Sequence, residues 1–354
     1  MTAAPRIEWQ EGDAPRAARW RSEAGLPPPR RVVVIDDTMS ADDAYHLACE
    51  GTALLWRGDF QNARQMLQAM ARRVEQKPRR ARQRAAEAAK GVAAAAPGDA
   101  FHRHRLMQSQ RARTLAALLL PLDADYAIPL RRAPDVRAAC VETYGPVTAD
   151  AQASVVSLRE ILGLVGAHEW RKKGVEIPAI GGRIHPYYGV FSPVRGEYVD
   201  LVARAPLPAT TLAFDVGTGT GVLAAVLARR GVERIVATDT DPRARACAIE
   251  NLTRLGVAGQ VEVIDADLFP EGRAPLIVCN PPWVPARPSS PIEAAVFDPE
   301  SRMLLGFLRG LADHLTPGGE GWLILSDFAE HLGLRPRADL DAAIAAAGLT
   351  VIDR

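Results

Sequence analysis

Between Leu212 and Ser326, five short apolar runs alternate with stretches of helical period, and the first turn between them holds Gly217, Gly219 and Gly221. The runs Leu212–Val216, Arg234–Thr238, Gln260–Ile264, Leu276–Cys279 and Trp322–Ser326 read as strands, with helices over roughly 220–230, 241–254 and 300–315. Apolar strands bounded by such helices predict an α/β fold, a mostly parallel sheet covered on both faces. In an open parallel sheet, groups at the carboxyl ends of the strands converge on one crevice.

The residues at those strand ends carry chemistry. Phe214-Asp215-Val216-Gly217-Thr218-Gly219-Thr220-Gly221 leaves a strand and opens a helix, and its glycines let the backbone turn tightly against a ligand. Alone, the pattern fits a dinucleotide site or an ordinary tight turn equally well. The next strand ends in Asp239, whose carboxylate suits two ribose hydroxyls, while Asp241 before Pro242 is placed to cap the following helix. The third strand ends in Asp265-Ala266-Asp267, with Asp267 placed to accept from an adenine amino group, and the fourth in Asn280-Pro281-Pro282-Trp283.

Taken together, DVGTGTG, ATDTDP, DLF and NPPW over about residues 175–350 resemble the small-domain class I S-adenosylmethionine (SAM)-dependent methyltransferases. These include protein-glutamine, rRNA guanine-N2 and adenine-N6 enzymes. The resemblance implies a Rossmann-like methyltransferase sheet with SAM as cofactor. By position it implies that Asp215, Gly217, Thr218, Gly219 and Gly221 surround the methionine end, Asp239 the ribose and Asp267 the adenine, with Asn280 closing the site. Two positions depart from the glutamine enzymes: Ala266 replaces a usual glycine and Trp283 a usual tyrosine.

An NH2 group conjugated to a π system is a poor nucleophile, so a site must accept its N–H bonds while the nitrogen rehybridises. The Asn280 side-chain oxygen and the Pro281 carbonyl are suitable acceptors, and neither Pro281 nor Pro282 has an N–H to compete. Trp283 adds a planar face for stacking. Catalysis by positioning and electrostatics is expected, without a general base or covalent intermediate.

Upstream, Tyr188, Phe191, Arg195 and Glu197 resemble the segment that lies beside the active site in glutamine methyltransferases, and are the substrate-side candidates. The Gly-Gly-x-Asp-Gly signature of those enzymes is replaced here by Phe297-Asp298-Pro299-Glu300-Ser301-Arg302.

The N-terminal half reads differently. Residues 1–30, with three consecutive prolines, suggest an irregular arm, and 31–168 a mainly helical domain with a small strand at Arg31–Ile35. Ser40 is placed to cap a helix; Ala63, Met66, Leu67, Met70 and Val74 form an apolar helical stripe; Pro78 should end or kink that helix; Ser154–Ala167 reads as another. Residues 169–204 read as a hairpin and connector, and 205–354 as the methyltransferase domain, with Val351 and Ile352 starting a sixth strand. From Arg72 to Lys90 eight Lys or Arg face two acidic residues, and arginines continue to Arg113. This basic stretch favours RNA as the substrate, through phosphate contacts. A protein glutamine, a small molecule, and a non-catalytic module that retains SAM to bind RNA or protein are the alternatives. Four widely spaced cysteines suggest reduced thiols in a cytoplasmic protein rather than a zinc cluster, so no metal is expected. The polar N-terminus and the lack of a long apolar stretch suggest no membrane partner.

Overall fold

The computed structural model describes residues 4–88, 97–194, 196–288 and 291–354, with side chains of 76–88, 97, 291 and 292 left aside. The chain divides into two compact units, Met1–His168 and Glu169–Arg354.

Unit 1 contains strands β1 (Arg6–Glu11), β2 (Ala14–Trp20), β3 (Val32–Ile35), β4 (Ala53–Trp56), β5 (Leu118–Leu122) and β6 (Ser154–Ser157), with helices α1 (Ala41–Cys49), α2 (Phe60–Ala88), α3 (Pro97–Ala116) and α4 (Arg137–Tyr144), and the first residues of α5 (Leu158–Lys173), which continues past His168. The strands form one sheet in the order β1-β2-β6-β5-β4-β3. The helices expected here are present, but a six-stranded sheet, rather than one small strand, organises the unit. Residues 1–30 are not an irregular arm: β1 and β2 form an antiparallel hairpin joined by Gly12-Asp13, with Gly12 at φ 62°. Every second residue of β1 is charged or polar and outward, while Ile7 and Trp20 are buried, and that alternation disguised the hairpin as polar coil.

Unit 1 departs in part from two further expectations. The helix begun at Phe60 passes through Pro78 to Ala88 without ending there. Ser154–Ser157 is a strand, all four residues buried, and the helix starts only at Leu158. Its two adjacent valines favour extended backbone, and pairing with β5 satisfies the ladder. The Ser40 cap is present, its hydroxyl accepting from the Asp43 N–H at 3.1 Å. Ala63, Met66, Leu67 and Met70 face the core as the stripe predicts.

Unit 2 opens with a two-stranded hairpin, β7 (Val175–Ile177) and β8 (Gly182–Ile184), followed by α6 (Glu197–Arg204). It continues as β9 (Leu212–Val216), α7 (Val222–Arg229), β10 (Arg234–Thr238), α8 (Pro242–Arg254), β11 (Val261–Ile264), β12 (Ala274–Cys279), α9 (Arg302–His314), β13 (Leu315–Leu323), α10 (Phe328–His331) and α11 (Arg337–Ala346). The five strands from β9 onward are parallel, in the order β11-β10-β9-β12-β13. The strand order reverses between β9 and β12, the switch point where a crevice opens at the carboxyl ends.

Alternate residues feed two cores. Ala213, Ile235, Ala237, Leu276 and Val278 face α6, α7 and the hairpin. Phe214, Val216, Val236, Ile277 and Cys279 face Leu304, Phe307, Leu308 and Leu311 of α9. Each large side chain so buried stabilises the unit by roughly 1.5–3 kcal/mol, which holds the strand ends rigidly. The expected sixth strand is absent: Val351 and Ile352 are irregular and exposed. Cys140, Cys247 and Cys279 are buried and Cys49 is exposed. Among the described residues, no helix is long and apolar enough to cross a membrane and no His, Cys, Asp or Glu group forms a metal site.

Candidate active site

The carboxyl ends of β9, β10 and β12 carry the residues singled out above. Asp215 lies within β9 and is 1% exposed; its Oδ2 accepts from the Thr218 hydroxyl at 2.7 Å and the Ala224 N–H at 3.1 Å. Burial pushes this carboxyl up to about 6, against the lowering effect of those two donors. The following loop is pinned from the neighbouring strand, since the Gly217 and Thr218 N–H groups both donate to the Thr238 carbonyl, at 2.9 and 2.8 Å.

Gly217, Gly219 and Gly221 all have positive φ, at 73°, 56° and 79°, but they meet different surroundings. A Cβ on Gly217 would lie 2.4 Å from the Met303 Cε, and one on Gly221 3.2 Å from the Ala248 Cα. A Cβ on Gly219 would meet nothing within 4 Å, so this glycine borders open space. Asp239 reaches the same loop: its Oδ2 accepts from the Gly219 N–H at 3.0 Å and its Oδ1 from the Asp241 N–H at 2.9 Å. Desolvation raises its pKa above the ordinary aspartate value. Asp241 caps α8 through the Arg243 N–H, as its position before Pro242 predicts. Asp267 is exposed and paired with Arg302 at 2.7 Å, and Asp265 with Arg245 at 3.0 Å.

Register brings Asn280 to this loop. Cys279 pairs with Val216 across β12 and β9, so Asn280 and Gly217 leave adjacent strands at the same level. The Trp283 indole N–H donates to the Asn280 Oδ1 at 2.9 Å. Because that N–H can only donate, the bond fixes which end of the amide is oxygen. Pro281 is buried, Pro282 and Trp283 half-buried.

The substrate-side candidates scatter. Tyr188 lies under the Arg243 guanidinium, 5.9 Å from ring centre to Cζ. Phe191 turns into the hydrophobic core against Tyr198, with ring centres 6.2 Å apart, which makes it a packing residue. Glu197 is exposed in the first turn of α6, and Arg195 lies outside the described residues.

Two desolvated carboxylates, positive-φ glycines and open space over Gly219 suit a ligand that has an ammonium group and ribose hydroxyls, as SAM has. Comparison with known proteins agrees. A family profile described as "Ribosomal protein L11 methyltransferase (PrmA)" matches residues 204–281. The chain is 41% identical over 147 residues to a ribosomal protein L11 methyltransferase of Pelotomaculum thermopropionicum, covering 40% of this chain and 39% of that one. It is 38% identical over 131 residues to a release factor glutamine methyltransferase of Cereibacter sphaeroides, covering 36% and 43%. It is also 29% identical over 157 residues to a tRNA1(Val) (adenine(37)-N6)-methyltransferase of Bacteroides fragilis, covering 40% and 66%. The chain thus spans under half the length of the first two of these relatives. Unit 2 has the fold of a class I SAM-dependent methyltransferase domain.

Several residues that shape this methyltransferase domain escape sequence reasoning. Asn251 of α8 is fully buried; it accepts from the His185 N–H at 2.8 Å and donates to the Thr220 carbonyl at 3.0 Å, tying the connector to the glycine loop. Asp298 is 5% exposed; its carboxylate accepts from the Met303 and Leu304 N–H groups, and its own N–H donates to the Val284 carbonyl at 2.8 Å. Arg335 donates to the Trp283 carbonyl at 3.2 Å. Asp298 stood in the segment set apart for lacking the glutamine-enzyme signature, and its position before a proline-led turn was the one available signal.

Proposed function

We propose that the methyltransferase domain moves the methyl group of SAM to a planar NH2 nitrogen, and that the acceptor is a protein side-chain carboxamide such as glutamine. The observation that carries this is the Cys279–Val216 register, which sets the Asn280-Pro281-Pro282-Trp283 turn beside the glycine loop. Asp215, Gly217, Thr218, Gly219 and Gly221 would hold the methionine end of SAM, Asp239 its ribose and Asp267 its adenine. When bound, SAM supplies a methyl group on a positively charged sulfonium, which is a good leaving group.

The protein's part is orientation. A carbonyl oxygen has two lone pairs, and Trp283 takes one on Asn280 Oδ1, leaving the other for a substrate N–H. The Pro281 carbonyl accepts the second N–H. With both N–H bonds held, the nitrogen lone pair is turned out of conjugation and toward the incoming methyl; the sulfonium leaves as a neutral thioether, and the methylated nitrogen releases one of its held protons to solvent. The half-buried Trp283 ring supplies an apolar wall that excludes water.

Relatives named for a ribosomal protein and for a release-factor glutamine favour a protein acceptor over the RNA expected from the basic stretch. That stretch lies in unit 1, and the side chains of 76–97 are outside the described residues. RNA adenine N6 is the second reading, supported by the tRNA enzyme of which this chain spans 66%. The test is transfer of labelled methyl from SAM into fractionated lysate by the full chain. Label in protein, mapped to a side-chain amide, supports the reading; label confined to RNA replaces it with the second; no label in any fraction refutes both.

A further inference from the structure

Arg335 stands in the link between α10 and α11, half-buried and reaching the Asn280-Pro281-Pro282-Trp283 turn. Its Nη2 donates to the Trp283 carbonyl at 3.2 Å and its Nη1 to the Ser301 hydroxyl at 3.3 Å. Both acceptors are neutral, and both distances lie at the long end of the hydrogen-bond range. Among the described residues, no carboxylate forms an ion pair with Arg335. Asp298 attracts it from farther off, but that carboxylate is committed to the Met303 and Leu304 N–H groups at 3.0 and 3.1 Å. Burial lowers the Arg335 pKa from its ordinary value.

Partly burying a cation with no carboxylate in ion-pair contact costs stability, and proteins tolerate it where a ligand brings a charge close enough to pair. The backbone beneath Arg335 is also unusual. Glu300 and Ser301 are consecutive non-glycine residues with φ of 58° and 54°, a conformation that costs energy and concentrates at functional sites. It is this pair of residues that delivers the Ser301 hydroxyl to Arg335.

We infer that Arg335 is a specificity residue, and that it binds a carboxylate of the polypeptide substrate close in sequence to the amide being methylated. This rests on the protein-acceptor reading above. A single planar guanidinium matches one carboxylate through two parallel N–H donors. A nucleic-acid backbone needs a basic field, and unit 2 carries 19 Lys or Arg against 23 Asp or Glu, whereas unit 1 carries 24 against 19. The isolated cation therefore suits an isolated anion.

The test uses the full chain, saturated with S-adenosylhomocysteine, and three labelled peptides that differ only in the residues flanking a central glutamine: glutamate, glutamine or lysine. Wild type is expected to bind the glutamate-flanked peptide at least tenfold more tightly than the glutamine-flanked one. Arg335→Gln should abolish that preference while leaving S-adenosylhomocysteine affinity unchanged, and Arg335→Glu should transfer the preference to the lysine-flanked peptide. Arg335→Lys, which keeps the charge, should retain part of it and controls for folding. Equal binding of all three peptides by wild type overturns the inference. So does an Arg335→Gln variant that weakens every peptide alike, since a residue that merely props the turn would do that. Binding is read apart from turnover: a clear acidic preference without methylation of any peptide would count against the glutamine acceptor and leave the carboxylate site standing.

Discussion

The Trp283 indole N–H donates to the Asn280 side-chain oxygen, so the residue proposed as the stacking face also orients the amide proposed to hold the substrate NH2. Trp283→Phe keeps a ring but deletes the donor, and frees the Asn280 amide to rotate. Losing one hydrogen bond at the reacting nitrogen is expected to slow methyl transfer roughly 10- to 100-fold. Affinity for SAM should not change, because the residues assigned to its methionine, ribose and adenine parts lie at the ends of β9, β10 and β11. Labelled-methyl incorporation together with calorimetric SAM binding checks both halves. Turnover equal to wild type would show that the bond is incidental.

Gly217 and Gly219 make a matched pair of probes. Both have positive φ, so alanine at either strains the backbone by about 1 kcal/mol. Only Gly217→Ala also drives a methyl group into Met303. Gly217→Ala is therefore expected to lower the melting temperature distinctly more than Gly219→Ala. Gly219→Ala should instead lose SAM binding, since its new Cβ enters the open space assigned to the cofactor. If Gly219→Ala binds SAM as tightly as wild type, the cofactor does not lie over this glycine.

How much of this could be read in advance differs between the units, for physical reasons. β9 and β10 were legible to the residue because mainly apolar runs are followed by glycine or aspartate, which mark both element and boundary. β13 was placed too late, at Trp322. It begins at Leu315 but includes Pro317, Gly318, Gly319 and Gly321, and its pairing with β12 is irregular between Ala274 and Leu276. Turn-forming residues in an irregular strand look like a loop. The central strand β5 hid behind Pro121, which pairs with Val155 all the same. At the site, Asp215, the glycines, Asp239 and Asn280 announced themselves by local motif. Asp298 and Arg335 did not, because their roles arise from contacts 14 and 52 residues away in the chain, with Val284 and Trp283.

The raised pKa of Asp215 makes two pH-dependent effects separable. Its folded-state value of about 6 lies above the ordinary 3.8, so the folded protein holds a proton that the unfolded chain has released. That stabilising contribution is present at low pH and is lost as pH rises through about 6. The SAM-free protein should thus lose stability between roughly pH 4 and 6 from this group. An ammonium group needs the carboxylate form, so SAM binding should strengthen over the same rise and level off above it. Asp215→Asn, which keeps an oxygen for the Thr218 and Ala224 donors, should flatten both trends. Thermal melts and SAM titrations from about pH 4 to 8 check this. Identical pH profiles in wild type and variant would show that another group controls them.

Asp298 joins the acceptor turn to the helix that carries Met303. Its N–H holds the Val284 carbonyl, one residue past Trp283, and its carboxylate caps α9 through Met303 and Leu304. A buried carboxylate at a helix N-terminus satisfies donors that otherwise have no partner and opposes the helix dipole favourably. Asp298→Ala should therefore cost about 2 kcal/mol, which lowers the melting temperature by roughly 4–8 °C in a unit of this size. Asp298→Asn, which retains one acceptor, should lose less. Because Met303 abuts Gly217, loosening the first turn of α9 should also weaken SAM binding, even though Asp298 lies outside the set of residues assigned to the cofactor. A variant that melts within 1 °C of wild type would mean that Pro299 and the core contacts of Leu304 and Phe307 hold the helix without the cap. A variant that melts early yet binds SAM unchanged would separate stability from cofactor positioning, and would place the pinning of the glycine loop on Thr238 and Asp239 alone.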